Sequence, residues 1–167
     1  MIHLVLFEPE IPPNTGNLIR LVANTGMHLH LIEPLGFSLE EKQLRRSGLD
    51  YHDLAQVSTW KNLDAFLNEG PCQRLWIIET GGQLRYDQVD YAPGDGLIFG
   101  PETRGLKAEQ IDQIGAPIVS LPMVPGNRSL NLSNCASIVA FEAWKRCDFI
   151  GGITDWQAQK TGHSGPF

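Results

Sequence analysis

The sequence predicts an α/β fold, a Rossmann-like and mostly parallel sheet flanked by helices. Three observations carry that expectation. Short apolar runs recur at Ile2–Phe7, His28–Glu33, Arg74–Ile78, Gly96–Gly100 and Ile118–Pro122, and continuous runs of this length fit strands buried on both faces. Stretches with apolar residues at helical spacing lie between them. Polar or Gly-rich turns follow several of the runs, and an open parallel sheet holds its ligands beyond the carboxyl ends of its strands.

Each element follows in order. Ile2 to Phe7 is apolar apart from His3. Pro12 and Pro13 are expected to bar a helix until Asn14. Ile19, Val22 and Ala23 then recur at helical spacing, and Gly26 is a plausible stop. With the strand at His28–Glu33 this makes a β-loop-α-β unit, which favours a parallel sheet. Leu39 to Arg46 is amphipathic, acidic first and basic last, as the helix dipole prefers. Its Lys42, Arg45 and Arg46 form the densest basic cluster, either a solvated helix end or a phosphate-facing patch. His52 and Tyr51 follow in an irregular stretch, and nothing is claimed for His52.

Trp60, Leu63, Phe66 and Leu67 have helical spacing, so a helix is expected from Trp60 to Leu67, ended by Gly70 and Pro71. The strand Arg74–Ile78 runs into a Gly-rich turn, which places Ile78 and Thr80 where a cofactor can sit. The strand Gly96–Gly100 enters PETRGL, where glycine permits close backbone approach and Glu102 leaves the turn as a buried or cleft carboxylate. A helix over Lys107–Ile114 follows, then the strand at Ile118 and a helix over Leu132–Arg146. Between those last two, Pro125, Gly126 and Asn127 form a turn, and Ser129, Asn131 and Ser133 gather at the helix start. Such residues cap a helix, bind a ligand at its free N–H groups, or both.

Composition narrows the partners. A chain of 167 residues reads as one domain over 1–150, with a weakly ordered tail over 151–167 that Trp156 can dock. The net charge of −6 lacks the basic excess of a typical nucleic-acid binder, although a local basic face on an acidic protein can still hold phosphate. The three cysteines, Cys72, Cys135 and Cys147, have no metal-ligand spacing and read as free thiols in a reducing compartment. The N-terminus lacks the basic start and cleavage site of a signal peptide. No run reaches transmembrane length. A cytoplasmic protein without a metal or a membrane is the expectation.

Three stretches together have a family look. NTGNLIR opens the first helix, FGPETRGL follows a strand, and RSLNLSN stands between a strand and an apolar helix. In this order they resemble the motifs of the knotted SPOUT class of RNA methyltransferases. The likeness is greatest to the small group that methylates the 2′-hydroxyl of the tRNA wobble nucleotide, and it covers roughly residues 1–150. The resemblance implies a deep C-terminal trefoil knot, S-adenosylmethionine as cofactor, tRNA as substrate and a homodimer. It implies leucine tRNAs with a pyrimidine at position 34. It assigns Arg20, Asn14, Glu102, Ser129 and Asn131 to the catalytic group. Arg20 would grip a phosphate beside the target ribose with Asn14 orienting it, and Glu102 would accept a proton or hold the turn. Ile78, Thr80, Gly100, Leu121, Met123, Ser129 and Leu130 would line the cofactor pocket. Arg20, Lys42, Arg45, Arg46 and Arg128 would meet RNA.

One departure stands out. The wobble group commonly has tyrosine where this chain has Phe141, so any role of that hydroxyl is absent here. Ile138, Val139, Phe141 and Trp144 give the last helix a wide apolar face, expected to pack in part on a twofold mate. Three other readings compete: a methyltransferase acting on another tRNA or rRNA position, a non-catalytic RNA-binding factor, and a plain dinucleotide-binding module. The last would need a GxGxxG after the first strand, and Glu8 to Gly16 offers none.

Overall fold

The computed structural model describes residues 1–38 and 56–153. The basic segment with Lys42, Arg45 and Arg46, the stretch with Tyr51 and His52, and the tail with Trp156 lie outside the described residues.

Among the described residues the strands are β1 His3–Phe7, β2 His28–Ile32, β3 Val57–Trp60, β4 Arg74–Ile78, β5 Leu84–Arg85, β6 Asp95–Phe99 and β7 Ile118–Ser120. The helices are α1 Pro12–Thr25, α2 Leu63–Glu69, α3 Ala108–Ile114 and α4 Leu132–Arg146, with a short 3-10 turn at Tyr86–Gln88. The strands form one sheet in the order β3-β2-β1-β6-β4-β7-β5, and every pairing is parallel.

The central strands are largely apolar because both faces of the sheet are covered. Leu4, Leu6, Leu29, Leu31, Leu97, Phe99 and Ile78 point to one side, sharing a core with Leu18, Ile19 and Val22 of α1 and Ala136, Val139, Ala140 and Ala143 of α4. Val5, Phe7, Ile32, Ile77 and Ile98 point to the other, where Leu63 and Phe66 of α2 and Leu106 meet them. The apolar alternation within each strand thus sorts two cores, one per face.

Two expectations fail. Pro12 and Pro13 do not delay α1 to Asn14; they form its first turn. The first N–H groups of a helix have no intrahelical acceptor, so proline loses nothing there and its fixed φ suits the start. Trp60 does not open a helix. It ends β3, which pairs with β2, and α2 begins only after Asn62, whose side chain accepts from the Ala65 N–H (2.9 Å). The helical spacing belongs to α2 from Leu63 onward, and Trp60 fits that pattern by coincidence. Gly26 ends α1 in the left-handed conformation, as expected.

A histidine chain runs through the α2 face. Trp60 Nε1 donates to His30 Nδ1 (3.0 Å), and His30 Nε2 lies 3.0 Å from His3 Nδ1. An indole N–H can only donate. Neutral His30 must therefore carry its proton on Nε2 and donate it to His3. A second proton on either ring would set two N–H groups face to face. Burial, with His28 and His3 nearby, pushes His30 down to about 3. Burial, His28 and the N-terminal amine push His3 down to about 4.

Both values lie below the ordinary 6.5, so the folded state favours the neutral rings. Their stabilising contribution is full above pH 6.5 and is lost as pH falls from there toward 4. The expected loss is at most about 1.4 kcal/mol per pH unit for each histidine. Urea midpoints between pH 7.5 and 4.5 measure it. His30→Gln, which can still accept from Trp60 and donate to His3, should flatten the profile.

Candidate active site

The segments after β4, β6 and β7 converge beyond the carboxyl ends of their strands, and the start of α1 joins them. Together they enclose a cavity of about 280 Å³. Its floor is apolar, from Ile78, Phe99, Leu121 and Leu132; Thr80, Ser129, Asn131 and Cys135 add polar atoms. At Gly100 the wall is bare backbone. A Cβ there would lie 2.5 Å from Gly105 C and Leu106 N, so the PETRGL turn rests directly on the strand end.

One hydrogen-bond network crosses the cavity mouth. Glu102 Oε2 accepts from Glu10 N (2.8 Å), and Oε1 accepts from Ile11 N (3.2 Å) and Asn14 Nδ2 (3.0 Å). Asn131 Nδ2 donates to Asn14 Oδ1 (2.9 Å). Asn131 Oδ1 caps α4, accepting from Ser133 N (3.0 Å), Ser133 Oγ (2.8 Å) and Asn134 N (3.3 Å). Asn17 Nδ2 reaches Ser133 Oγ (3.3 Å). The PETRGL turn, the start of α1 and the start of α4 are thereby tied together. Thr103 N also donates to Glu10 Oε2 (3.1 Å), and Arg104 pairs with Glu8.

The residues expected to meet a cofactor lie together. Ile78, Thr80, Gly100, Leu121, Met123, Ser129 and Leu130 all line the cavity, as do Asn14, Glu102 and Asn131. Arg20 does not; it is exposed farther along α1, and Asn24 Nδ2 donates to its carbonyl (2.7 Å). Arg128 is exposed on the approach to α4. Asn14 bonds Glu102 and Asn131. Of the two roles open to Glu102, its geometry is that of a clamp, with three donors on one carboxylate.

Sequence reasoning missed Glu79 and Cys135, which also line the cavity. The strand-end rule that pointed to Thr80 applies equally to Glu79, one residue earlier. Cys135 had no local signal, being one apolar position of α4. Burial and then Glu79 push its thiol up to about 11. It therefore stays protonated near neutral pH and is a poor nucleophile.

Among the described residues, a parallel sheet with a cleft at three strand ends, no basic side chain on its wall and a capped helix at its mouth has the form of an α/β ligand-binding site. A profile of the SpoU rRNA methylase family matches residues 1–141, and the chain belongs to that family. It is 52% identical over 152 residues to a tRNA (cytidine(34)-2′-O)-methyltransferase of Saccharophagus degradans, covering 90% of this chain and 99% of the relative. It is 50% identical over 154 residues to the protein of that name in Escherichia coli K12, covering 92% and 98%. A solved structure concerned with 2′-OH methylation of C/U34 on tRNA superposes with a TM-score of 0.80 at 38% identity, covering 89% of this chain and 97% of that one. An rRNA methyltransferase from Sinorhizobium meliloti with S-adenosylmethionine bound shares the fold, with a TM-score of 0.73 at 22% identity; the match covers 86% of this chain and 56% of that one.

Proposed function

We propose that the protein transfers a methyl group from S-adenosylmethionine to the ribose 2′-hydroxyl of nucleotide 34, C or U, of tRNA. The observation that carries this reading is the joining of all three motifs at one cavity. Asn14 and Asn131, 117 positions apart, bond each other there, and Glu102 holds both to the PETRGL turn through Asn14. The close relatives bear the name of this activity over nearly their whole length.

The cavity suits the cofactor. Its volume lies near the lower end of ligand pockets, and the family resemblance implies a bent adenosyl group there. The apolar floor at Ile78, Phe99 and Leu121 can take an adenine ring. The bare backbone at Gly100 allows close approach, and Ser129 at the start of α4 can meet polar groups. When bound, S-adenosylmethionine supplies an electrophilic methyl group on a sulfonium.

This chain's residues do the rest. A 2′-hydroxyl is a weak nucleophile, so it must be held in line and must lose its proton as it attacks. Arg20 carries a planar guanidinium whose donors match a phosphate. It binds a phosphate beside the target ribose and aligns the hydroxyl. Lys42, Arg45, Arg46 and Arg128 add phosphate contacts on the same reading. The Asn14–Asn131 pair fixes the starts of α1 and α4, and so the place where ribose and cofactor meet.

Two further features belong to this reading. The chain is knotted, with α4 passing beneath the segment that joins β4 to β6. Supporting this, Arg146 of α4 donates to Asp87 O, and Val89 and Tyr91 share a core with Ala140 and Ala143. The protein is a homodimer. Ile138 and Phe141 lie 42% and 47% exposed on α4, with Ile150 and Ile153 near them in sequence at 66% and 54%. A twofold mate would cover that face and extend the RNA surface. No helix among the described residues is long and apolar enough to cross a membrane, and the proposed tRNA substrate favours the cytoplasm.

Incubation with S-adenosylmethionine and unmodified tRNA tests the function. Mass spectrometry of nuclease fragments should find Cm or Um at position 34 of leucine tRNAs. Methylation at a different tRNA or rRNA position would overturn the substrate assignment, and none on any RNA would leave a binding factor.

A further inference from the structure

We propose that Glu79 is a positioning residue that holds the cofactor cavity in shape, acting by anchoring the β6–α3 loop through the Leu106 N–H. The proposal rests on the methyltransferase reading and deepens it.

Glu79 is the first residue beyond β4, and three strand ends meet at it. Its backbone N–H donates to Val119 O of β7 (3.1 Å). Its side chain reaches across β6's end, where Oε2 accepts from Leu106 N (3.1 Å). Its Oε1 accepts from Thr80 N (2.8 Å) and Thr80 Oγ1 (3.2 Å), which fixes the carboxylate on its own loop. The loops after β4, β6 and β7 all line the cavity, so this one residue sets their spacing.

The other side of the contact is built to receive it. Gly105 has φ +64°, and a Cβ there would lie 2.3 Å from Glu79 Oε2. Leu106 is 7% exposed and packs in the core shared by Phe7 and Ile98. The Glu79 carboxylate thus grips a turn whose next side chain is pinned in the core. The same turn rests its backbone on Gly100. If the grip is lost, the turn is free to lift from Gly100, and the cavity wall lifts with it. The carboxylate touches Thr80 and Leu106 through different oxygens. An amide could serve only one of those donors with its oxygen and would turn its NH2 toward the other. The role therefore requires a carboxylate and not only its shape.

The test uses the full chain and S-adenosylmethionine in calorimetry, with tRNA affinity and amide hydrogen exchange as separate readouts. Glu79→Ala and Glu79→Gln should each weaken S-adenosylmethionine about tenfold, as loss of a hydrogen bond to a charged group does, while tRNA affinity stays within about twofold. Exchange at the Leu106 amide should accelerate in both. Gly105→Ala should weaken the cofactor at least as much in the wild-type background. With Glu79→Ala already present the clash is gone and only the strain of alanine at φ +64° remains, so it should add less than it does in the wild-type background. Wild-type cofactor affinity and Leu106 protection in Glu79→Gln would overturn the proposal, as would full additivity of the pair. If the wild-type protein binds no S-adenosylmethionine, the methyltransferase reading fails. Leu106 exchange then decides the anchor alone: faster exchange in Glu79→Gln keeps it and unchanged exchange removes it.

Discussion

Replacing Arg20 with alanine is expected to lower methyl transfer at least about 100-fold, the scale of loss when a reacting group is misplaced, while S-adenosylmethionine affinity stays within about threefold. The two effects separate because Arg20 is exposed on α1 and is not part of the cavity wall. On the proposed reading its place is on the RNA side, where a guanidinium can orient a phosphodiester. Arg20→Lys tests the geometry as well. Lysine keeps the charge but loses the planar fork, so partial recovery would indicate a charge contact and none would indicate paired hydrogen bonds. Calorimetry with the cofactor and single-turnover methylation of tRNA make both measurements. Normal turnover in Arg20→Ala would remove the role.

The same variant tests whether the active site is shared across a dimer. Asn131→Ala should disable the cavity side by removing the α4 cap and the bond to Asn14. If each site combines the cavity of one protomer with Arg20 of its mate, mixing the two inactive proteins under subunit exchange restores activity, up to one working site per mixed dimer. Verified mixed dimers that stay inactive, or a protein that sediments as a monomer, would rule out the shared site.

Much of the frame was legible because it is encoded locally. α4 begins at Leu132 and ends at Arg146, as its apolar spacing and the Ser/Asn cluster indicated, and Asn131 is its cap. Arg74–Ile78 is a strand to the residue. The failures have physical causes. β3 has four residues, none fully buried, and Trp60 also fits the period of the helix that follows. β5 is two residues long and has no pattern to show. The side-chain links are a different matter. Glu102 meets the start of α1 from about 90 positions away, and Glu79 meets Leu106 across 27. No local periodicity encodes either contact. Motif resemblance marked Glu102 as important, yet only the folded chain shows what its oxygens bind.

Glu102→Ala is accordingly expected to reduce stability and activity together. The carboxylate accepts from two backbone N–H groups just before α1 and from Asn14 within it. Hydrogen bonds to a charged group contribute about 1.5–3 kcal/mol each, but they are not additive and water can reach the Ile11 N–H, which is exposed. A loss of about 2–4 kcal/mol is the expected total. Freed from Glu102, Asn14 no longer presents its carbonyl firmly to Asn131, so the α4 start loosens and cofactor affinity falls by at least about tenfold. Glu102→Gln separates clamp from proton acceptor. If Glu102 took the hydroxyl proton, glutamine would abolish turnover and leave the urea midpoint unchanged, since its shape is the same. If Glu102 is the clamp, the amide turns its NH2 toward one of the three donors. The midpoint, the cofactor affinity and the turnover then fall together. Urea unfolding, calorimetry and single-turnover assays on the two variants distinguish these outcomes, and an unchanged midpoint in both would refute the clamp.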